Sequence, residues 1–240
     1  MARFVVYIPQ VNVSAEVKRA RDLKYYDTQQ VVQFTINQKD FRLDNPQVAV
    51  KVAVLQNYRW DTTITGLKPQ YIIGNELVYR YDRETAFWAG NEYFYFDSKD
   101  IRVAASGIAR FTRDRLVGSY LFTNVSRANS VYTYYPDING DFLITTVNGA
   151  NPANEADYTQ VHFALEGKST FWGKEVYVYG KFSNYELRDE YKLTYDEKDG
   201  LFKGKVLLKQ GFYNYKFATK EGRTIDFNEI GGNFYQTENT

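Results

Sequence analysis

The sequence predicts an all-β chain made of two consecutive immunoglobulin-like β-sandwich domains. Three observations carry that reading. Apolar residues recur at every second position through most of the chain, aromatic residues are abundant at 22 Tyr, 17 Phe and 3 Trp, and turn residues interrupt the alternating runs at the spacing of short strands. Tyr-rich runs suit a pleated, half-buried surface, where the ring packs and the hydroxyl reaches water or a partner. A sandwich of this kind takes roughly 100 residues, so a chain of 240 holds two.

The first strands follow from period two. Phe4, Val6 and Ile8 alternate with Val5, Tyr7 and Pro9, and Val11, Val13, Ala15 and Val17 alternate with Asn12, Ser14, Glu16 and Lys18. Residues 15 to 21 are rich in helix formers, but a helix would scatter those four apolar positions around its circumference, so a strand is expected. The pattern returns at Val32, Phe34 and Ile36, at Val48, Val50, Val52 and Val54, and at Tyr93 and Tyr95 against Phe94 and Phe96. Asp44-Asn45-Pro46, Gly66 to Pro69, Gly74-Asn75 and Ala89-Gly90-Asn91 are the turns between them.

The domain seam is expected at Phe122 to Asn129, giving domains 1–125 and 126–240. Beyond it, Val131 to Tyr135 and Phe142 to Thr146 read as a hairpin that turns at Asp137 to Gly140. A polar loop follows from Asn148 to Asp157. Val161, Phe163 and Leu165 restart the alternation, and Val176 with Val178, Leu193 with Tyr195, Phe202 with Val206, and Tyr213, Tyr215 and Phe217 complete the second sandwich. No run of about ten residues reads as a helix.

Composition excludes several functions. Thirty basic and 29 acidic residues leave a net charge of +1, which supplies no long-range field for a nucleic-acid backbone. No apolar run approaches a membrane span of roughly 18 residues, and the first residues lack the pattern of an export signal. The absence of cysteine rules out disulfides, thiolate metal sites and thiol nucleophiles together.

The residue types that carry chemistry are sparse. His162 is the one histidine, placed between Val161 and Phe163 so that it faces away from both, and a structural role is expected for it. Asp137-Ile138-Asn139-Gly140-Asp141 resembles the start of a calcium loop, but its Gly is fourth rather than sixth and Asn148 occupies the twelfth position, so a tight turn explains it better. Asp189-Glu190 and Asp196-Glu197 lie beside Arg188, Lys192 and Lys198 and read as solvated loop charges. No catalytic residue, cofactor site or metal site is expected, and the chain reads as a non-enzyme. Trp60, Trp88 and Trp172 run into turns, where rings ordinarily serve as packing anchors, and Trp60 and Trp88 are also candidate partner-contact aromatics.

Two resemblances add to this. Val178-Tyr179-Gly180-Lys181-Phe182-Ser183-Asn184-Tyr185, Gly200-Leu201-Phe202, and Gly211-Phe212-Tyr213-Asn214-Tyr215-Lys216-Phe217 resemble the early-set glycogen-binding modules of branching enzymes and AMP-activated kinase. The scaffold residues match, but Tyr185 stands in place of the first sugar-stacking tryptophan and Arg223-Thr224 in place of the second. Tyr185 and Lys216 are then vestigial glycan-contact positions, and glycan binding is not expected.

The second resemblance covers nearly the whole chain. Gln56-Asn57-Tyr58-Arg59-Trp60-Asp61, Leu67-Lys68-Pro69, Gly90-Asn91-Glu92-Tyr93-Phe94-Tyr95-Phe96-Asp97, Asp137-Ile138-Asn139-Gly140 and Gly232-Asn233-Phe234-Tyr235-Gln236-Thr237-Glu238-Asn239 look like the plug protein family of the Bacteroidota type IX secretion system. Ala2-Arg3-Phe4-Val5-Val6 looks like that family's Arg-Arg-Phe-x-Val run out of a preceding domain. The resemblance implies an internal fragment that lacks a final strand. It further implies a non-enzymatic periplasmic accessory at the inner face of the outer membrane, which closes the translocon barrel from the periplasmic side.

Overall fold

Alternation decides most of the strands in the computed structural model, which describes residues 8–39, 41, 43–104, 106–147 and 149–240. The expected strand at Phe4 and Val6, the Ala2 to Val6 motif and Asn148 lie outside the described residues. The chain divides into two units between Ala89 and Gly90, not at residues 125/126. Among the described residues seventeen strands pair antiparallel, except that Val117–Tyr120 runs parallel to Thr159–His162, and no described helix is long and apolar enough to cross a membrane.

The first unit contains β1 (Asn12–Arg19), β2 (Gln29–Asn37), β3 (Ala53–Val54), β4 (Ile64–Thr65), β5 (Tyr71–Ile73), β6 (Glu76–Tyr79) and β7 (Ala86–Trp88). Its sheet runs β1-β2-β6-β5, with β7 also paired to β2, and the short β3–β4 ladder stands apart from it. Phe34, Ile36, Leu77 and Tyr79 bury one face of that sheet, and Val50, Val52, Val54 and Ile64 pack against them from outside it. Cross-strand partners Phe34 and Tyr79 stack with ring centroids 4.3 Å apart. The strand expected through Val48 to Val54 is mostly absent: Pro46–Ala49 is one helical turn, and only Ala53–Val54 pairs. Asn45 takes a left-handed φ of 50° and Pro46 cannot donate a ladder hydrogen bond, so the segment turns before it can extend.

The second unit contains β8 (Phe94–Asp97), β9 (Ile108–Arg113), β10 (Val117–Leu121), β11 (Phe142–Ile144), β12 (Tyr158–Glu166), β13 (Glu175–Tyr179), β14 (Lys192–Asp196), β15 (Leu201–Lys209), β16 (Gly211–Glu221) and β17 (Thr224–Asp226). These join in the order β11-β16-β13-β14-β15-β12-β10-β9, with β8 and β17 also on β16. The 11-residue β16 changes partners along its length, meeting β8 and β11 through its first half and β13 and β17 through its second. One continuous sheet therefore folds over itself. Phe96 of β8 and Phe163 of β12 meet edge to face at 6.0 Å across the resulting core, and Tyr215 of β16 lies 5.1 Å from Phe163.

That pairing explains the seam. Strands β8 to β10 precede residue 125, yet β8 is hydrogen-bonded to β16 and β10 runs parallel to β12, so they belong to the second sandwich. The hairpin expected at Val131 to Thr146 is also corrected. Residues 131–135 form no strand, and β11 pairs with β16 instead. Pro136 interrupts the run, and the Tyr132 and Tyr134 hydroxyls bind distant acceptors. The turn itself survives: Asn139 and Gly140 have φ of 54° and 84°, and a Cβ on Gly140 would sit 2.6 Å from the Tyr93 ring. One Asp137 carboxylate oxygen accepts from the Asn139 amide at 2.6 Å and the other from the Tyr93 amide at 2.5 Å, which makes this residue a backbone clamp.

Candidate functional site

Trp60 and Trp88 do not anchor the core of the first unit. They are 48% and 51% exposed, and Trp172 is 67% exposed while the preceding Phe171 is fully buried. Trp88 ends β7, where the Tyr25 ring meets it edge-on at 5.7 Å. The Gln56 side-chain amide donates to the Trp88 carbonyl at 3.0 Å, which ties the turn carrying Trp60 to the end of that strand.

Inside this turn Asn57 and Tyr58 are both left-handed, with φ of 54° and 58°. Asn57 is buried, and the consequence is that Tyr58 is pushed out to 78% exposure. A left-handed non-glycine residue costs on the order of 1 kcal/mol or more, so the surroundings hold this presentation in place. Arg59 chelates Asp61 through two hydrogen bonds of 3.1 and 2.7 Å, and the Thr63 hydroxyl donates to the Trp60 carbonyl at 2.9 Å. The result is a braced aromatic turn beside an exposed indole, with the composition of a protein-contact surface. Sequence reasoning named Trp60 and Trp88 but missed Tyr25 and Tyr58, whose participation depends on a backbone conformation that no spacing rule signals.

In the second unit Tyr185 and Lys216 fall on either side of Tyr179. Lys216 is the cross-strand partner of Tyr179, and the Tyr185 ring lies 5.5 Å from the Tyr179 ring. Tyr179 also packs on Phe227 at 4.8 Å, and the Lys216 ammonium sits 3.9 Å above the Tyr93 ring. The fold thus brings the two positions together, but it engages both within the unit. Gly180 is small because of crowding: a Cβ there would lie 2.8 Å from the Asn214 carbonyl oxygen. Phe182 packs on Tyr191 and Tyr213 at 5.8 and 6.1 Å, as a core anchor should.

A third arrangement joins motifs that are remote in sequence. Asn233 accepts from the Gly90 amide at 2.7 Å, the Asn91 side chain donates to the Gly231 carbonyl at 2.7 Å, and the Thr237 hydroxyl donates to the Gly90 carbonyl at 2.9 Å. Glu92 lies at the centre, 1% exposed. Its carboxylate accepts from the Tyr132 hydroxyl at 2.5 Å and from the Glu238 amide at 3.2 Å, and its backbone carbonyl accepts from Arg127. The Arg127 guanidinium is 3.9 Å from the Phe94 ring centre. Burial pushes the Glu92 carboxyl above the ordinary carboxylate range, against the lowering effect of the Tyr132 and Glu238 donors. Burial likewise lowers Arg127 and, with the Glu92 hydrogen bond, raises Tyr132. Nothing in the local sequence nominates Glu92 or Arg127.

The remaining candidates are surface or structural groups. Arg188 pairs with Glu186 and Glu190, and Lys203 with Asp196 and Asp199, as expected of solvated charges. His162 faces away from the core as its register predicted, and its ring stacks on Tyr120 at 4.0 Å and 4°.

No family model matches this chain, and no curated protein matches it. Among solved structures, the crystal structure of a hypothetical protein from Parabacteroides merdae ATCC 43184 is similar, with a TM-score of 0.86 and 33% sequence identity. The similarity covers 96% of this chain and 59% of that one, so the chain spans well under two thirds of the length of this neighbour.

Proposed function

We propose that this chain belongs to a non-enzymatic periplasmic accessory that plugs the periplasmic opening of the type IX translocon in the outer membrane. The observation that carries the reading is the convergence of its motifs. Gly90 to Tyr93, Asp137 to Gly140 and Gly232 to Asn239 are three of the stretches that resemble the plug family, and here they interlock around Glu92 and Tyr93. Similarity to a protein from Parabacteroides, a member of the Bacteroidota, supports it. A body that closes a barrel must be stiff and must present anchoring side chains, and the braced turn with Tyr58, Arg59 and Trp60 beside Trp88 supplies such anchors.

The test is co-purification with the detergent-solubilised translocon barrel, using the full-length protein. Replacing Trp60 and Trp88 together by Ala is expected to reduce recovery at least ~10-fold, since a buried indole at an interface contributes about 2 kcal/mol or more. A protein that never co-purifies with the barrel overturns the reading.

Glycan binding is the second reading, favoured only by the grouping of Tyr185 and Lys216 around Tyr179. Titration with maltooligosaccharides is expected to give no saturable heat at millimolar sugar. Binding that appears in the Tyr185→Trp variant but not in the parent would show that the geometry of the site outlived its stacking ring.

A further inference from the structure

Among the described residues β1 is the one long strand whose outer edge is open. Its pairing with β2 runs without a slip from Asn12 to Arg19, it contains no proline, and Asn12 to Val17 are all exposed. Other terminal strands are blunted in the usual ways: β5, β7, β11 and β17 have three residues each, and the pairing of β9 with β10 shifts at Leu121.

Hydrogen-bond parity shows which residues line that edge. The Ala20 amide donates to the Gln29 carbonyl at 3.1 Å, so Ala20 and Gln29 are a hydrogen-bonded pair. Such pairs alternate along an antiparallel ladder, and Lys18, Glu16, Ser14 and Asn12 therefore turn their backbone groups toward β2. Val13, Ala15 and Val17 turn theirs away. Val32, the partner of Val17, agrees, since its amide donates to Thr85 on the far side of β2. Among the described residues Val13, Ala15 and Val17 have no other backbone partner. Their side chains share a face with Ile36, Phe34 and Val32, which is the core face of the sheet, yet Val13 and Val17 are 62% and 49% exposed. Backbone groups and apolar side chains are thus left open along the same three residues.

We infer that this edge joins a second copy of the chain, β1 against β1, antiparallel about a two-fold axis at Ala15. Pattern and charge select that occupant. Only with the axis at Ala15 does Val13 lie opposite the partner's Val17, so that the core faces of both sheets continue into each other. On the other face Glu16 then lies opposite the partner's Ser14, and Lys18 opposite the partner's Asn12. Moving the axis to Glu16 would press two carboxylates together, and a parallel arrangement in register would set Glu16 and Lys18 each beside its own copy. Pairing β1 with β5 of another copy would be head to tail and would not close, and the three residues of β5 match less than half of β1. The inference does not depend on the translocon reading.

The chain has no cysteine, so Ala15→Cys introduces a single thiol. Facing residues at the axis have α-carbons about 5.5 Å apart, within the span of a disulfide. In Val17→Cys the two thiol-bearing residues are separated by about four residue steps, ~13 Å, which a disulfide cannot bridge. Sedimentation of the whole chain is expected to show half-dimerisation on the order of 100 µM, as suits a small interface. Ala15→Cys should oxidise to a covalent dimer at least ~10-fold faster than Val17→Cys. The Val13→Lys/Val17→Lys variant sets lysine against lysine on both sides of the axis and should self-associate at least ~10-fold more weakly. Both valines are exposed, and an unchanged urea midpoint certifies the fold. A chain that stays monomeric at about 1 mM, a lysine variant that dimerises as the parent does, or equal oxidation of the two cysteine variants each overturns the inference.

Discussion

Arg127→Met is expected to destabilise the second unit by about 3 kcal/mol at neutral pH, and by less in acid. The side chain of Met keeps the apolar contact with Phe94, but the Glu92 carbonyl loses its charged donor and the buried Glu92 carboxylate loses the attraction of the Arg127 charge, keeping that of Lys216. The sign of the pH effect follows from linkage. Glu92 has a folded pKa above its unfolded value, so between the two the native state binds more protons, and stability falls as pH rises through that window. Removing Arg127 raises the folded value further, which extends the loss to higher pH. Urea unfolding followed by near-ultraviolet circular dichroism at pH 5 and pH 7.5 measures the difference. Glu92→Gln keeps acceptors for Tyr132 and Glu238, and should flatten the pH slope in both the parent and the Arg127→Met background. A cost that is equal at both pH values would mean that Arg127 acts through its bond to the Glu92 carbonyl and not through the Glu92 carboxylate.

The same network marks where sequence reading stops. Val161, Phe163 and Leu165 were legible because a strand buries every second residue and nothing else in the chain competes with that pattern. Val131 to Tyr135 alternates just as well, but its Tyr hydroxyls bind Glu92 and Glu238, and the backbone follows those anchors instead of a ladder. Glu92 binds a backbone amide 146 positions away, and local periodicity holds no information at that range. The seam was misplaced for a related reason. Composition shows where strands begin and end, while partnership decides which sandwich owns them, and β8 finds its partner in β16 only after the chain has returned. Of the candidate surfaces, the indoles could be read as aromatics at turns, but not their exposure, which depends on the Gln56 tie and the left-handed pair at Asn57 and Tyr58.

Phe163→Ala is expected to cost about 3 to 5 kcal/mol, the range for removing a fully enclosed aromatic ring that its neighbours cannot replace. Phe163 is 1% exposed, and its ring meets rings from two other strands and one turn: Phe96 of β8 at 6.0 Å, Tyr215 of β16 at 5.1 Å and Phe182 at 6.5 Å. Those neighbours are themselves stacked, Phe96 on Tyr213 at 5.1 Å and Tyr213 on Phe142 at 5.3 Å, so collapse into the cavity would break ring contacts elsewhere. Phe163→Leu should cost less than half as much, because it refills much of the volume. The outward face supplies the control: His162 is adjacent in sequence, yet His162→Gln changes a partly buried side chain that lies outside the core and should shift stability by about 1 kcal/mol or less. Urea midpoints for the three variants decide the matter. If Phe163→Ala proved as mild as His162→Gln, the two layers of the second sandwich would not be closed through this ring, and the strand order that places β8 and β16 over β12 would have to be redrawn.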